Sequence, residues 1–199
     1  LHRSTNSLTR ENAGEAFFIG SFDMRAREIT IKGNVAYIPL SKGLKAIIDA
    51  SDIEKVHGWN WHAVKSRSTV YARRTDCSVK PPKAIHLHRV IMSPYLDSEV
   101  DHINGDGLDN RKANLRVVTS NQNRLNKFMN KKNTSGYKGA SKFRNKWKAQ
   151  IQTSGKRIYL GLYNTAEEAH HAYCNAAKTM HGNFWNPGIQ KNIEIGRAM

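Results

Sequence analysis

Cysteine is nearly absent from this chain: Cys77 and Cys174 are the only two, far apart and outside any Cys-x-x-Cys pair. That excludes a disulfide framework and a structural zinc built on paired thiolates, and it suits inert thiols in a reducing compartment. Long apolar runs are missing too. None approaches the ~20 residues of a membrane-spanning helix, and Ala16-Phe17-Phe18-Ile19 is too short for the core of a signal peptide. The expectation is a protein that acts inside a cell and away from membranes. Acidic side chains are scarce: 32 Lys and Arg face 16 Asp and Glu over 199 residues, a formal net charge of +16. From Asn110 through Ala166 there is no Asp or Glu, yet there are fourteen Lys and Arg. An ordinary solvated basic face rarely excludes acids for so long, so the partner expected is a polyanion.

What is present is concentrated between Val100 and Asn123. The stretch reads Val100-Asp101-His102-Ile103-Asn104-Gly105-Asp106-Gly107-Leu108-Asp109-Asn110, then Asn114-Leu115-Arg116-Val117-Val118, then Ser120-Asn121-Gln122-Asn123. The pattern predicts a strand ending at Asp101-His102, a polar glycine-rich loop, a second strand, and a helix opened by Ser120. Asn123 then lies one turn into that helix. A hairpin packed on the helix can bring Asp101 and Asn123 to the same cation. Carboxylate and amide oxygens suit a hard divalent ion that keeps several waters, and a histidine with a near-neutral pKa suits a general base. Taken alone, Gly105-Asp106-Gly107 would describe no more than a turn.

The full spaced set resembles the HNH endonucleases, specifically the branch of phage and intron homing endonucleases in which an asparagine replaces the last histidine. The resemblance implies that His102 is the base, that Asp101 and Asn123 hold Mg²⁺ or another divalent cation such as Mn²⁺, and that Asn114 braces the loop orienting His102. It also implies double-stranded DNA as the substrate, a setting in the cytoplasm or nucleoid of a host cell, and a monomer or weak dimer.

Upstream, residues 1–23 show no clear period and read as an extension, with Met24 a candidate natural start. From Ile29 the pattern is β-like, with a turn at Lys32-Gly33-Asn34, a short helix near Asp52–His57, and alternation around Trp59, Trp61 and Tyr71. Ala84 to Ile91 reads as a strand with His86 and His88 on one face, a possible two-histidine pair. Residues 127–134, including Lys131 and Lys132, read as a basic linker able to lie along phosphates.

Residues 135–186 follow a separate logic. Period-two alternation places Trp147, Ala149 and Ile151 on one face of a strand, and Ile158 and Leu160 on one face of the next. Ser154-Gly155 is the hairpin turn. Thr165 and Glu168 form a capping box, and Ala166, Ala169, Ala172, Tyr173, Ala176, Ala177 and Met180 recur at helical spacing behind it. Three short strands on one helix would leave a cationic, glutamine-bearing outer face. A ribbon of that kind fits the major groove, where Arg or Lys reads guanine and Gln reads adenine.

This segment resembles the AP2 DNA-binding domain through Ser135-Gly136-Tyr137-Lys138-Gly139, Lys146-Trp147-Lys148-Ala149-Gln150-Ile151, Leu160-Gly161-Leu162-Tyr163, Thr165-Ala166-Glu167-Glu168-Ala169, Ala172-Tyr173 and Ala176-Ala177. Ser141 and Phe143 stand near positions where plant members often carry arginine, so base preference does not transfer. The expected DNA-contacting residues are Lys131, Lys132, Lys138, Lys142, Arg144, Lys146, Lys148, Gln150, Arg157 and Tyr159.

The fold expected is α+β: a small ββα-metal nuclease unit with β-rich N-terminal support over residues 24–126, and an AP2-like three-stranded sheet on one helix over residues 135–186. Residues 187–199 form a tail. The function expected is site-specific, metal-dependent cleavage of duplex DNA of the homing type. The alternative is an AP2-type DNA-binding regulator with a vestigial nuclease site.

Overall fold

A computed structural model of the protein describes residues 17–18, 26–66, 69–129 and 132–188. The β-like pattern near Ile29 folds as a four-stranded antiparallel sheet: β1 (Phe17–Phe18), β2 (Thr30–Lys32), β3 (Val35–Pro39) and β4 (Lys45–Asp49), neighbours in that order. Alternation along β3 and β4 buries Ala36, Ile38, Ala46 and Ile48. β1 comes from residues 1–23, read above as an extension, and pairs with β2. The rest of 1–23 lies outside the described residues. The helix expected near Asp52 is a 3-10 helix, Ala50–Lys55.

A second sheet joins β5 (His62–Lys65), β6 (Val70–Asp76) and β7 (Lys83–His86). Trp61 sits just ahead of β5, fully buried, and its indole N–H donates to the Val56 carbonyl at 3.1 Å. The strand expected through Ile91 ends at His86, where the chain turns into α1 (Leu87–Met92). Leu87 and Ile91, one helical turn apart, both enter the core from the same face of α1. His86 and His88 therefore share no strand face; their rings stack across the junction with centroids 5.2 Å apart.

β8 (Glu99–His102) and β9 (Leu115–Val118) form a hairpin, followed by α2 (Ser120–Leu125). Thr119, one residue earlier than expected, caps α2 and forms a capping box with Gln122. One hydrophobic core holds Ile38, Ile48, Val56, Trp61, Leu87, Val100 and Leu115 together, so the two N-terminal sheets pack directly against the β8–β9 hairpin.

Farther along, β10 (Ala140–Phe143), β11 (Lys146–Thr153) and β12 (Lys156–Tyr163) form an antiparallel sheet covered on one face by α3 (Ala166–His181). Ser154 and Gly155 both have positive φ, 48° and 78°, as a two-residue primed turn requires. Thr165 and Glu168 make the capping box. The inward stripe of α3 is Ala169, Tyr173 and Ala177, ending on His181; Met180, expected on that stripe, is exposed. Gly139 has to be glycine, since a Cβ there would lie 2.1 Å from the Tyr173 ring.

The pairing of β11 with β12 shifts at Ala149/Gln150. Ala149 faces Gly161 and Gln150 faces Tyr159, leaving Leu160 as the extra residue of a bulge. The bulge resets the alternation. Leu160 packs inward, and Leu162, inward by strict period two, turns to the outer face opposite Lys148.

Candidate active site

Pairing within the β8–β9 hairpin sets Asp101 against Arg116 and His102 against Leu115. The loop between the strands is held at many points. The Asp106 N–H donates to Asn104 Oδ1 at 2.8 Å, and the Leu108 N–H to Asp106 Oδ1 at 2.9 Å, two local turns that use short polar side chains. Asn114 spans the loop: its Oδ1 accepts from the Asn104 N–H at 3.0 Å, and its Nδ2 donates to Asn104 Oδ1 at 3.0 Å and to the Asp109 carbonyl at 2.8 Å. β4 grips the far side, where the Ile47 N–H donates to the Leu108 carbonyl at 2.8 Å and the Asn110 N–H to the Ile47 carbonyl at 2.7 Å. Gly107 packs so close to β6 that a Cβ would lie 2.5 Å from the Val70 carbonyl oxygen.

His102 is buried at the end of β8, with Nε2 3.2 Å from Asn110 Oδ1. Asn110, fully buried, donates its NH₂ to the carbonyls of Leu108 at 3.0 Å and Gly107 at 3.4 Å. Its oxygen must then face the imidazole, so Nε2 carries the proton and Nδ1 keeps the lone pair. Burial pushes the His102 pKa below the ordinary imidazole value, against the Asn110 hydrogen bond and the Asp101 charge, which pull it up. The rings of Tyr71 and His88 flank His102 at centroid distances of 5.7 and 5.0 Å. His88 is itself driven down to about 3, first by burial and then by the neighbouring His102 and His86.

Asp101 is buried one residue before His102. Its Oδ2 accepts from Arg116 Nε at 2.9 Å and Nη2 at 2.7 Å, and Asn126 Nδ2 donates to Oδ1 at 3.0 Å. The same Asn126 amide donates to the His102 carbonyl at 2.9 Å. Asn123, expected beside Asp101, donates instead to Glu99 Oε2 at 2.5 Å, and Ser120 hydrogen-bonds the other oxygen of Glu99. These two donors hold the Glu99 carboxyl below its usual range. The amide within hydrogen-bond reach of Asp101 is thus that of Asn126, one turn beyond Asn123. Among the described residues, no group of three or more His, Cys, Asp and Glu could hold a metal ion. The donors expected for a cation here number only two, the Asp101 carboxylate and the Asn123 amide oxygen. Asn123 spends its NH₂ on Glu99, which leaves that oxygen as its remaining polar group. Hard oxygen donors of this kind fit Mg²⁺.

Sequence reasoning passed over Asn110, Arg116 and Asn126. Asn126 carried a signal, being three residues after Asn123 and hence on the same helical face. Asn110 and Arg116 carried none without the hairpin register.

The expected DNA-contacting residues fall into separate groups. Lys146, Lys148, Gln150 and Arg157 share the outer face of the β10–β12 sheet with Tyr159 and Leu162, as the strand register requires. Lys142 falls on the helix-covered side, where its ammonium lies 4.8 Å from the Trp147 ring centroid. Arg144, in the β10–β11 turn at φ 52°, stacks over Phe143 at 5.7 Å. Lys138 does not present its charge outward. Its Nζ donates to the carbonyls of Lys127 at 2.8 Å, Asn186 at 2.8 Å and Leu125 at 3.3 Å, joining the end of α2 to the chain beyond α3. Burial lowers it to about 8. Lys132 is described, whereas Lys131 lies outside the described residues.

Residues 86–125 match the HNH endonuclease family. An uncharacterized HNH endonuclease, L560, of Acanthamoeba polyphaga mimivirus is 31% identical over 110 residues, covering 52% of this chain and 57% of that protein. The chain thus spans little more than half of the mimivirus relative. Protein 3.8 of Escherichia phage T7 is 32% identical over 83 residues, covering 36% of this chain and 69% of that protein. No solved structure matches. Among the described residues, no helix is long and apolar enough to cross a membrane. The chain belongs to the family of phage T7 Protein 3.8 and carries an HNH endonuclease domain over residues 86–125.

Proposed function

We propose that the chain is a metal-dependent endonuclease that hydrolyses phosphodiester bonds in duplex DNA at specific sites, as a homing-type enzyme with an AP2-like targeting unit. The observation that carries this reading is the buried His102 beside Asp101, with its Nε2 proton directed to Asn110 and its Nδ1 left basic. His102 Nδ1 takes a proton from water as the water oxygen attacks phosphorus and the bond to the 3′ oxygen breaks. Asp101 and Asn123 would hold the cation, and Asn114 keeps the loop closed over His102. Mg²⁺, when bound, supplies Lewis-acid stabilisation of the phosphate and the leaving oxygen. Arg116, paired with Asp101 at 2.7 Å, would share that carboxylate with the cation.

The sheet of residues 140–163 supplies the address. Phosphate contacts give affinity without sequence information, whereas side chains reaching base edges specify the site. Lys146, Lys148, Gln150, Arg157 and Tyr159 take that role, and Lys131, Lys132 and Arg144 contact phosphates. One catalytic site cuts one strand per encounter, so a monomer nicks. The test is cleavage of supercoiled DNA carrying a target selected with the full chain. Open circles or linear product with Mg²⁺, abolished by EDTA, support the reading. Tight binding without cutting in any divalent metal would replace it with a DNA-binding regulator.

A further inference from the structure

The outer face of the β10–β12 sheet is basic, yet it exposes three large apolar side chains: Phe143 at 44%, Tyr159 at 61% and Leu162 at 41%. Their placement follows from the register. Lys148 pairs with Ser141 on one side and Leu162 on the other, Gln150 pairs with Tyr159, and Gln152 with Arg157. Phe143 shares the face with Ser141 two residues before it, and the Lys148 ammonium lies 5.8 Å from its ring centroid. Leu162 belongs to this group only because the bulge at Leu160 reverses the alternation. Three apolar side chains thus flank a row of hydrogen-bonding groups, Lys148, Gln150 and Arg157.

Apolar side chains grouped on one polar face are a feature of interaction surfaces. The charge of this face selects a polyanion, and β-strands are elements that can enter a DNA major groove. The apolar feature that DNA presents there is the 5-methyl group of thymine. We propose that Phe143, Tyr159 and Leu162 are specificity-determining residues that read thymine methyl groups, so that the target contains thymines beside the bases met by Gln150 and Arg157. The inference rests on the targeting role proposed for this sheet.

The experiment selects binding sites from random duplex DNA with the full chain. Each thymine of the selected site is then replaced by deoxyuridine, which lacks only the methyl group. At one or more positions the replacement should weaken binding about fourfold, the equivalent of the ~0.8 kcal/mol that favours burying one methylene-sized group. Leu162→Ala or Phe143→Ala, both at exposed positions, should bind the thymine and deoxyuridine sites equally. A selected site that contains no thymine, or tolerates deoxyuridine throughout, overturns the inference while leaving the targeting role intact. Discrimination that survives in Leu162→Ala, Phe143→Ala and Tyr159→Ala overturns it as well. A selection with no enriched sequence, or one unchanged by Arg157→Ala and Gln150→Ala, removes the targeting role and the inference with it.

Discussion

Arg116 meets Asp101 through Nε and Nη2 at 2.9 and 2.7 Å, and the same guanidinium donates from Nη1 to the Asn183 carbonyl at 2.5 Å and lies 4.9 Å from the Phe184 ring centroid. Asn126, the other partner of Asp101, accepts in turn from Asn186 at 3.3 Å. Both groups that hold this carboxylate are therefore anchored on the chain just beyond α3. The side chains of Arg116 and Asp101 are 15% and 8% exposed, so the pair is largely out of water.

Removing one partner of such a pair leaves a buried charge and costs about 3–5 kcal/mol. Arg116→Ala in EDTA should lose stability on that scale. If Asp101 holds the cation, Mg²⁺ should recover more stability in Arg116→Ala than in the parent, because it supplies the missing positive charge. Thermal melts with EDTA and with Mg²⁺ measure this. Equal Mg²⁺ shifts in the two proteins would separate Asp101 from the metal.

The histidine cluster makes the fold sensitive to acid. His86, His88 and His102 all titrate below the ordinary imidazole value, with burial the largest cause in each, and His88 lies near 3. Between the unfolded value near 6.5 and these lower folded values, the unfolded chain binds protons that the folded chain refuses, so stability falls as pH falls. The titratable and charged groups that press on His88 are His102, His86 and Arg89, the first two as they protonate. His88→Gln should lose less stability than the parent between pH 7 and pH 5, read from urea midpoints. Parallel losses would contradict this. His102 stays neutral to lower pH for the same reason, so cutting should persist below pH 6.5.

Lys138 is expected to act as a strut and not as a DNA contact. Hydrogen bonds from a charged donor contribute roughly 1.5–3 kcal/mol, and this ammonium makes three. Lys138→Ala should lower the melting temperature with a small effect on intrinsic DNA affinity below it. Lys148→Ala and Arg157→Ala should do the reverse. A Lys138→Ala protein that melts like the parent but binds DNA weakly would return Lys138 to the interface.

If the basic segment neutralises about six phosphates, the logarithm of DNA affinity should fall against the logarithm of salt with a slope of roughly −5. Arg157→Ala should make that slope shallower by about one if its contact is to phosphate, and leave it unchanged if it reads a base. A parent slope near zero would contradict the electrostatic account.

The sequence displayed the local patterns clearly. The alternation of β11, the Ser154-Gly155 turn, the Thr165–Glu168 capping box and the strand ending at His102 could each be read from neighbouring residues. What it hid depended on register or distance. The β12 bulge adds one residue to a ladder, which flips Leu162 with no change in composition. The break at His86 looks like a strand because Ile85, Leu87 and Ile91 suit either period. Lys138 reads as one more surface lysine until the ends of α2 and α3 are brought together around it. Arg116 is a solvent-side position on an isolated strand, and only its pairing opposite Asp101 makes it part of the site.

The most direct measurement compares single-turnover cutting of a selected DNA site by the parent and by His102→Ala, with both proteins saturated by DNA and supplied with Mg²⁺. Loss of the general base should slow cleavage about 10²- to 10⁴-fold, with DNA affinity kept within twofold. Equal cutting rates would contradict His102 as the base and the nuclease mechanism built on it.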